Sequence, residues 1–241
     1  MTAQGTGRRA RLRESTLAEI RTVARKLLVS QGPAAVTINA VAREMGMSGP
    51  ALYHYYSGHD QLAAALTADF YAELTEVLRQ ACAAHAADPP GHRLLAAARA
   101  MRGWAITHRA EFGWMFARSI RSGEQDSDSP RYQAGQDFEQ IFLDQFVELW
   151  ERAPFPTPRL DDLAPSLRDQ LRAYSTALGG RLPPEAAHVF LSCWIRLYGL
   201  LCMEVLDQLY FVLSDVEPVF EECLRDLCAT LGMPYLPPPS E

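Results

Sequence analysis

Apolar residues recur at helical intervals along nearly the whole chain, and no stretch alternates with the period of two that a half-buried strand requires. Ile20, Val23, Ala24, Leu27 and Leu28 form a stripe on a first helix, which Gln31-Gly32-Pro33 ends. Ile38, Val41, Ala42 and Met45 then fall at i, i+3, i+4 and i+7, one apolar face of a short helix that the Thr37 hydroxyl caps and Gly46 stops. Ser48 and Pro50 suit the cap and first turn of another helix. Its Leu52 and Tyr56 face inward, while Gly49, Ala51, Tyr53, His54 and Tyr55 stay outside. Ser57 with Asp60 resembles a capping box for a long helix carrying Leu62, Leu66, Phe70, Leu74 and Leu78 to about Ala87, where Asp88-Pro89-Pro90 stops it.

Beyond that point the same period predicts helices over 91–107 and 109–121, then a polar segment, SGEQDSDSP, that is a surface loop or a disordered stretch. A helix from about Tyr132 to Arg152, an irregular connector (APFPTPRLDDLAPS) and a short helix from Leu167 to Leu178, stopped by Gly179-Gly180, follow. The last two helices are the most apolar. One carries Val189, Phe190, Cys193, Trp194, Leu197, Leu200, Leu201, Val205, Leu206 and Leu209; the other carries Val216, Val219, Phe220, Cys223, Leu224, Leu227 and Leu231. Stripes this wide need cover on more than one side, from the chain's own domain and from another subunit. The alternative is a buried pair of core helices in a monomer. The fold class is all-α.

Composition changes this picture little: 48% hydrophobic and 22% charged over 241 residues is ordinary for a soluble globular protein of one large domain or two modest ones. No run approaches the roughly 18 apolar residues of a membrane span, and MTAQGTGRRARLRES lacks the apolar core of a signal peptide. A cytoplasmic location with no membrane partner is expected. Five cysteines (Cys82, Cys193, Cys202, Cys223, Cys228) without a Cys-x-x-Cys pair read as free thiols, mostly buried. Charge matters more. The whole chain carries −6, yet residues 1–60 hold Arg8, Arg9, Arg11, Arg13, Arg21, Arg25, Lys26 and Arg43 against Glu14, Glu19, Glu44 and Asp60, a local +4. A basic head on an acidic body suits attraction to phosphate at one end and solubility elsewhere.

The helix–glycine turn–helix of residues 37–62 (TINAVAREMGMSGPALYHYYSGHDQL) resembles the DNA-binding motif of the tetracycline-repressor (TetR) family of bacterial transcription regulators. The family pattern after the turn is Ser, small residues, Leu-Tyr, a His-aromatic pair, then Lys at the next helix. Here Ser48, Leu52-Tyr53 and His54-Tyr55-Tyr56 stand in those places, with the histidine one position early and His59 where the lysine would be. Near pH 7 a histidine of ordinary pKa, about 6.5, is mostly neutral, so that one phosphate contact is expected to be weaker or pH-dependent. The resemblance covers residues 14–78 closely and the remainder in helical layout. WIRLYGLLCMEVL, with Trp194, Gly199 and Glu204, resembles a C-terminal subclass marked by Trp, His-Gly and Glu, Tyr198 standing where the histidine would be.

The resemblance implies a head over residues 1–60 and a regulatory and dimerisation domain over 61–241, acting as a homodimer on a palindromic operator in double-stranded DNA. Thr37, Ser48, Tyr53, His54, Tyr55 and His59 are placed for phosphate oxygens; Gly49, Pro50 and Ala51 for close approach and thymine methyl groups; Asn39 and Arg43 for support from the preceding helix. Arg8, Arg9, Arg11 and Arg13 form a flexible arm that either touches DNA or serves solubility alone. Candidate residues for a cavity holding a small apolar or aromatic effector are Trp104, His108, Phe112, Met115, Phe116, Phe138, Phe142, Tyr174, Trp194 and Tyr198, with Arg196 and Glu204 as further polar groups. Any of these aromatics equally suits a packed core. Val189, Leu197, Leu201, Val205, Leu209, Val219, Phe220, Cys223 and Leu227 are candidates for the dimer interface. No phosphate loop, His-Glu-x-x-His or Gly-x-Ser-x-Gly occurs, and the six histidines lack metal spacing, so no enzyme, metal or cofactor is expected.

Overall fold

The computed structural model describes residues 3–116 and 129–238. Among them ten α-helices and no strand occur: α1 Ala3–Gln31, α2 Ile38–Glu44, α3 Gly49–Tyr53, α4 His59–Ala84, α5 Pro90–Thr107, α6 Arg109–Phe116, α7 Pro130–Arg152, α8 Pro165–Ala177, α9 Pro184–Val205 and α10 Glu217–Thr230. The all-α expectation holds. Two compact units result. One takes the chain up to Glu73 together with the stretch opened by His108 and closed by Gln136; the other takes Leu74–Thr107 and everything from Asp137 on.

The first unit is larger than the 1–60 head read from sequence, and the reason is area. Helices of seven and five residues, α2 and α3, cannot by themselves bury enough apolar surface to hold a fold. Ile20, Ala24, Leu27 and Leu28 of α1 are buried with Ile38, Val41, Ala42, Leu52 and Tyr56, and Leu62, Leu66 and Phe70 of α4 with Phe112, Trp114 and Met115 of α6 complete the core. Trp114 donates its indole N–H to the Thr67 hydroxyl at 3.1 Å, so a polar edge is satisfied inside that core.

Several local expectations change. The basic arm is the first turns of α1, because helix continues from Ala3. At the start of α4 the Ser57 N–H donates to the Gln61 side chain at 2.6 Å rather than to Asp60. Glutamine sits one residue further on, at the position from which a capping side chain reaches back. The helix expected over 109–121 is described only to Phe116. Its remainder and most of SGEQDSDSP lie outside the described residues.

In the second unit Phe138, Phe142, Phe146 and Val147 of α7 are buried, as are Leu95, Ala98, Met101 and Trp104 of α5, Leu171 of α8 and Phe220, Leu224 and Leu227 of α10. Helix α9 is long and apolar enough to cross a membrane by length and composition. That corrects the expectation from sequence. Its apolarity has a local use, since Ala186, Ala187, Val189, Phe190, Cys193, Leu197, Leu201 and Val205 are buried within the chain. Helix α9 stops at Val205, short of Leu209. Asp207 adopts φ 55, while the Asp207 and Gln208 amides donate back to Glu204 O and Met203 O at 3.2 and 2.8 Å. These are the two bonds of a left-handed helix stop with aspartate in the glycine position.

Candidate nucleic-acid interface and ligand cavity

Thr37 and Ser48 cap the two short helices, each accepting from the backbone three residues on: Ala40 N–H at 3.1 Å and Ala51 N–H at 3.4 Å. Both hydroxyls are exposed and keep their own protons to donate outward. Between the helices Gly46 at φ 66 makes the turn. Its amide and that of Met47 donate to Arg43 O and Ala42 O at 3.1 and 2.9 Å, the same two-bond stop as at Asp207. Leu52 and Tyr56 point inward, fully and nearly fully buried.

The outward face is what remains. Tyr53 is 52% exposed, and Asn39, Arg43, Ser48, Pro50 and His54 are exposed, with Gly49, Ala51, Tyr55 and His59 half-buried. Gly49 lies close to the preceding helix: a Cβ there would meet the Asn39 Oδ1 at 2.9 Å. Asn39 thus lies over the start of α3, and the two helices present one surface. At the other end of α3, Arg13 donates to the His54 carbonyl at 3.4 Å and stands 5.5 Å from the Tyr55 ring centroid. This sets the basic start of α1, with Arg8, Arg9 and Arg11 exposed, beside the same face. His59 has Asp60 as neighbour at 3.5 Å and the edge of Trp114 at 6.4 Å.

Sequence reading missed a charge cluster in the same unit. Arg25 of α1 pairs with Glu73 of α4 at 2.7 Å and with Glu111 of α6 at 2.8 Å, its guanidinium 5.3 Å from the Phe70 centroid. His108 reaches Glu73 at 3.4 Å. Glu111 is buried, and no local pattern signals its partner, because the pair joins residues 86 apart.

Of the candidate effector residues, His108, Phe112, Met115 and Phe116 belong to the first unit. Phe112 and Met115 are buried there and Phe116 rests edge-on against Tyr71 at 5.8 Å, so they serve that unit's core. Glu204 is buried against Arg102 at 2.8 Å, and Arg196 pairs with Asp226 at 3.0 Å. Phe142, Tyr174 and Trp194 do meet, on the wall of a cavity of about 400 Å³ among α7, α8 and α9. Phe138, Phe142 and Tyr198 brace Trp194: the first two edge-on at 5.7 and 5.5 Å, the third stacked at 5.7 Å. Glu139 and Gln170, which no sequence signal singled out, also line the cavity. Protein around Glu139 raises its carboxyl above the ordinary value, and burial, with the charge of Glu139, raises the Tyr174 phenol.

The proposed interface residues divide. Val189, Leu197, Leu201, Val205, Phe220 and Leu227 are core of the chain itself. A side chain already out of water has little further area to give a partner, so they are no longer candidates. Leu209 lies in the turn after α9; Val219 and Cys223 are half-buried. What α9 leaves uncovered is Ile195, Met203 and Leu206, followed by Tyr210, Phe211 and Val212, exposed by 80, 77 and 66%. The five thiols are free. Burial pushes Cys193 up to about 12 and Cys228 to about 11, which keeps both protonated.

The model of the tetracyclin repressor-like C-terminal domain matches residues 94–227, more than half of the chain. The chain belongs to the TetR family. The model of the bacterial regulatory proteins, tetR family, matches residues 20–66, which contain both short helices and the glycine turn. An HTH-type transcriptional regulator of Mycobacterium tuberculosis, Rv1816, is 33% identical over 114 residues, 47% of this chain and 49% of that protein. A counterpart in Mycobacterium bovis, Mb1846, matches over the same shares. The chain thus spans about half the length of the curated relatives it matches. Among solved structures, the regulatory protein SCO4313 is 28% identical with a TM-score of 0.62, over 91% of this chain and 98% of that one. RolR in complex with resorcinol is 15% identical, with a TM-score of 0.57 over 96% and 98%, and shares the fold.

Proposed function

We propose that this TetR-family chain is a transcriptional repressor that binds a palindromic operator as a homodimer and is released by a small effector held among α7, α8 and α9. The observation that carries the reading is the joint face of α2 and α3, where capped, exposed hydroxyls, Asn39, Arg43, Tyr53 and His54 lie beside the arginines of α1. On B-DNA such a pair puts the second helix in the major groove and the first across the backbone. Thr37, Ser48, Tyr53, His54, Tyr55 and His59 hold phosphates; Gly49, Pro50 and Ala51 approach base edges. No Arg, Asn or Gln lies on α3, so readout per half-site is modest and two half-sites are required.

The second copy docks on the apolar surface that α9 and the turn after it leave bare, Ile195, Met203, Leu206, Tyr210 and Phe211, with Val219 and Cys223 of α10 at its margin. An effector in the cavity of about 400 Å³, within the usual range for small ligands, favours a dimer geometry that no longer matches the 34–36 Å between successive major grooves. The resorcinol in RolR supports a small-molecule input for this fold.

Footprinting on the DNA flanking the chain's own gene, with stoichiometry from sedimentation, tests this. The expected result is two chains on a two-fold-symmetric site, preferred over random DNA by about 10³ at 0.15 M salt. One chain per site, or equal protection of random DNA, contradicts it.

A further inference from the structure

We propose that the effector cavity selects a positively charged aromatic ligand, an amine or quaternary ammonium, with Glu139 as its counter-ion and the surrounding rings as its cage. This rests on the reading of the cavity as the effector site and adds its charge class. Three observations carry it. First, the lining has one formal charge, and it is negative: Glu139 is accompanied by the neutral polar groups of Gln170 and Tyr174 and otherwise by apolar and aromatic side chains. Second, no basic side chain neutralises Glu139 among the described residues. On α8, α9 and the turn between them the arginines are engaged elsewhere, Arg168 with Asp161 at 3.1 Å, Arg172 with Asp169 at 3.2 Å, Arg181 with Asp144 at 2.7 Å and Arg196 with Asp226 at 3.0 Å, and Arg152 at the end of α7 pairs with Glu148 at 2.6 Å. Third, Phe142, Tyr174, Phe190 and Trp194 all stand on the wall, and Trp194 is held in place by its three ring neighbours.

The chemistry of these parts is selective. A carboxylate flanked by protein mass and rings attracts a cation more strongly than it would in open water. Ring faces add attraction for the same cation through their quadrupoles. An anion meets the opposite field, and a neutral ligand must leave the Glu139 charge partly desolvated with nothing in return. Tyr174 stays a neutral phenol, because burial and the Glu139 charge both raise it, so Glu139 is the one charge on the wall. Glu139 both lines the cavity and is exposed to solvent, so a charged head can pair with it without full desolvation while the aromatic body lies against the rings.

Calorimetric titration of the full chain with three probes of one shape tests the assignment: benzyltrimethylammonium, its uncharged isostere neopentylbenzene, and the anion phenylacetate. Wild type is compared with Glu139→Gln and with Glu151→Gln, an exposed carboxylate on α7 outside the cavity. The expected result is binding of the cation at least about tenfold tighter than the isostere, equivalent to ~1.4 kcal/mol. That preference falls within about twofold in Glu139→Gln and is unchanged in Glu151→Gln. Equal or tighter binding of the isostere or of phenylacetate overturns the charge class, as does a preference that survives Glu139→Gln. If an uncharged or anionic probe binds and also releases operator DNA, effector control stands and only the charge class falls. If none of the three binds, the cavity is no ligand site and both readings fall.

Discussion

Gly49 shows how a single atom separates folding from function in this head. An added Cβ would stand 2.9 Å from the Asn39 Oδ1. That oxygen ends an exposed side chain, which can swing away at little cost. Gly49→Ala is expected to change stability by under about 0.5 kcal/mol yet weaken operator binding severalfold, because both Asn39 and the α3 face move. Paired thermal melts and fluorescence anisotropy check it; a large loss of stability, or unchanged affinity, contradicts it. Gly46 is the opposite case. At φ 66 it occupies the left-handed region, and Gly46→Ala is expected to cost about 1–2 kcal/mol in urea unfolding. Gly46 was readable as a turn because glycine after a helical stripe is a local signal. The reason for Gly49 was not, since it depends on where a residue ten positions away places one oxygen.

Among elements, the decisive contacts join helices far apart in sequence. Arg25 ties α1 to Glu73 of α4 and to buried Glu111 of α6. Arg25→Ala leaves Glu111 without a cation. Losing one partner of a buried pair costs about 3–5 kcal/mol; with Arg25 one-third exposed, solvent screening brings the expectation to ~2–3 kcal/mol. Chemical denaturation measures it, and a loss under about 1 kcal/mol would assign the cluster little structural weight. The boundaries of α2, α5 and α8 followed, to within about two residues, from caps, prolines and stripes, which act locally. The assignment of α6 to the first unit did not, because it depends on tertiary packing of Phe112 and Trp114. The dimer stripe misled for a related reason. Periodicity reports that a face is apolar, not which neighbour covers it, and the most apolar positions of α9 are those the chain itself buries.

Over the whole molecule, acid should act through carboxylates that the fold keeps ionised. Arg93 holds Glu148 below the ordinary value. Burial alone would raise Glu221, but Arg99, at 2.8 Å, and the Tyr235 hydroxyl, at 2.7 Å, outweigh it and lower it. Because both folded values lie below the unfolded one, their stabilisation is complete above about pH 4.5 and is lost as pH falls through the folded values. Melting temperature is therefore expected to drop below about pH 4.5, less steeply in Glu221→Gln. A variant curve parallel to wild type would remove Glu221 from the account. The division of charge, basic over residues 1–60 and acidic beyond, was legible in the sequence and places DNA attraction at the α1–α3 end. Specific DNA recognition by that face is measured by anisotropy at 0.15 M salt, with wild type and Tyr53→Ala titrated onto DNA flanking the chain's own gene and onto a scrambled fragment. Tight binding to the native fragment alone, weakened about tenfold or more by the substitution with the melting temperature unchanged, is the predicted result. Binding indifferent to both sequence and substitution would contradict it.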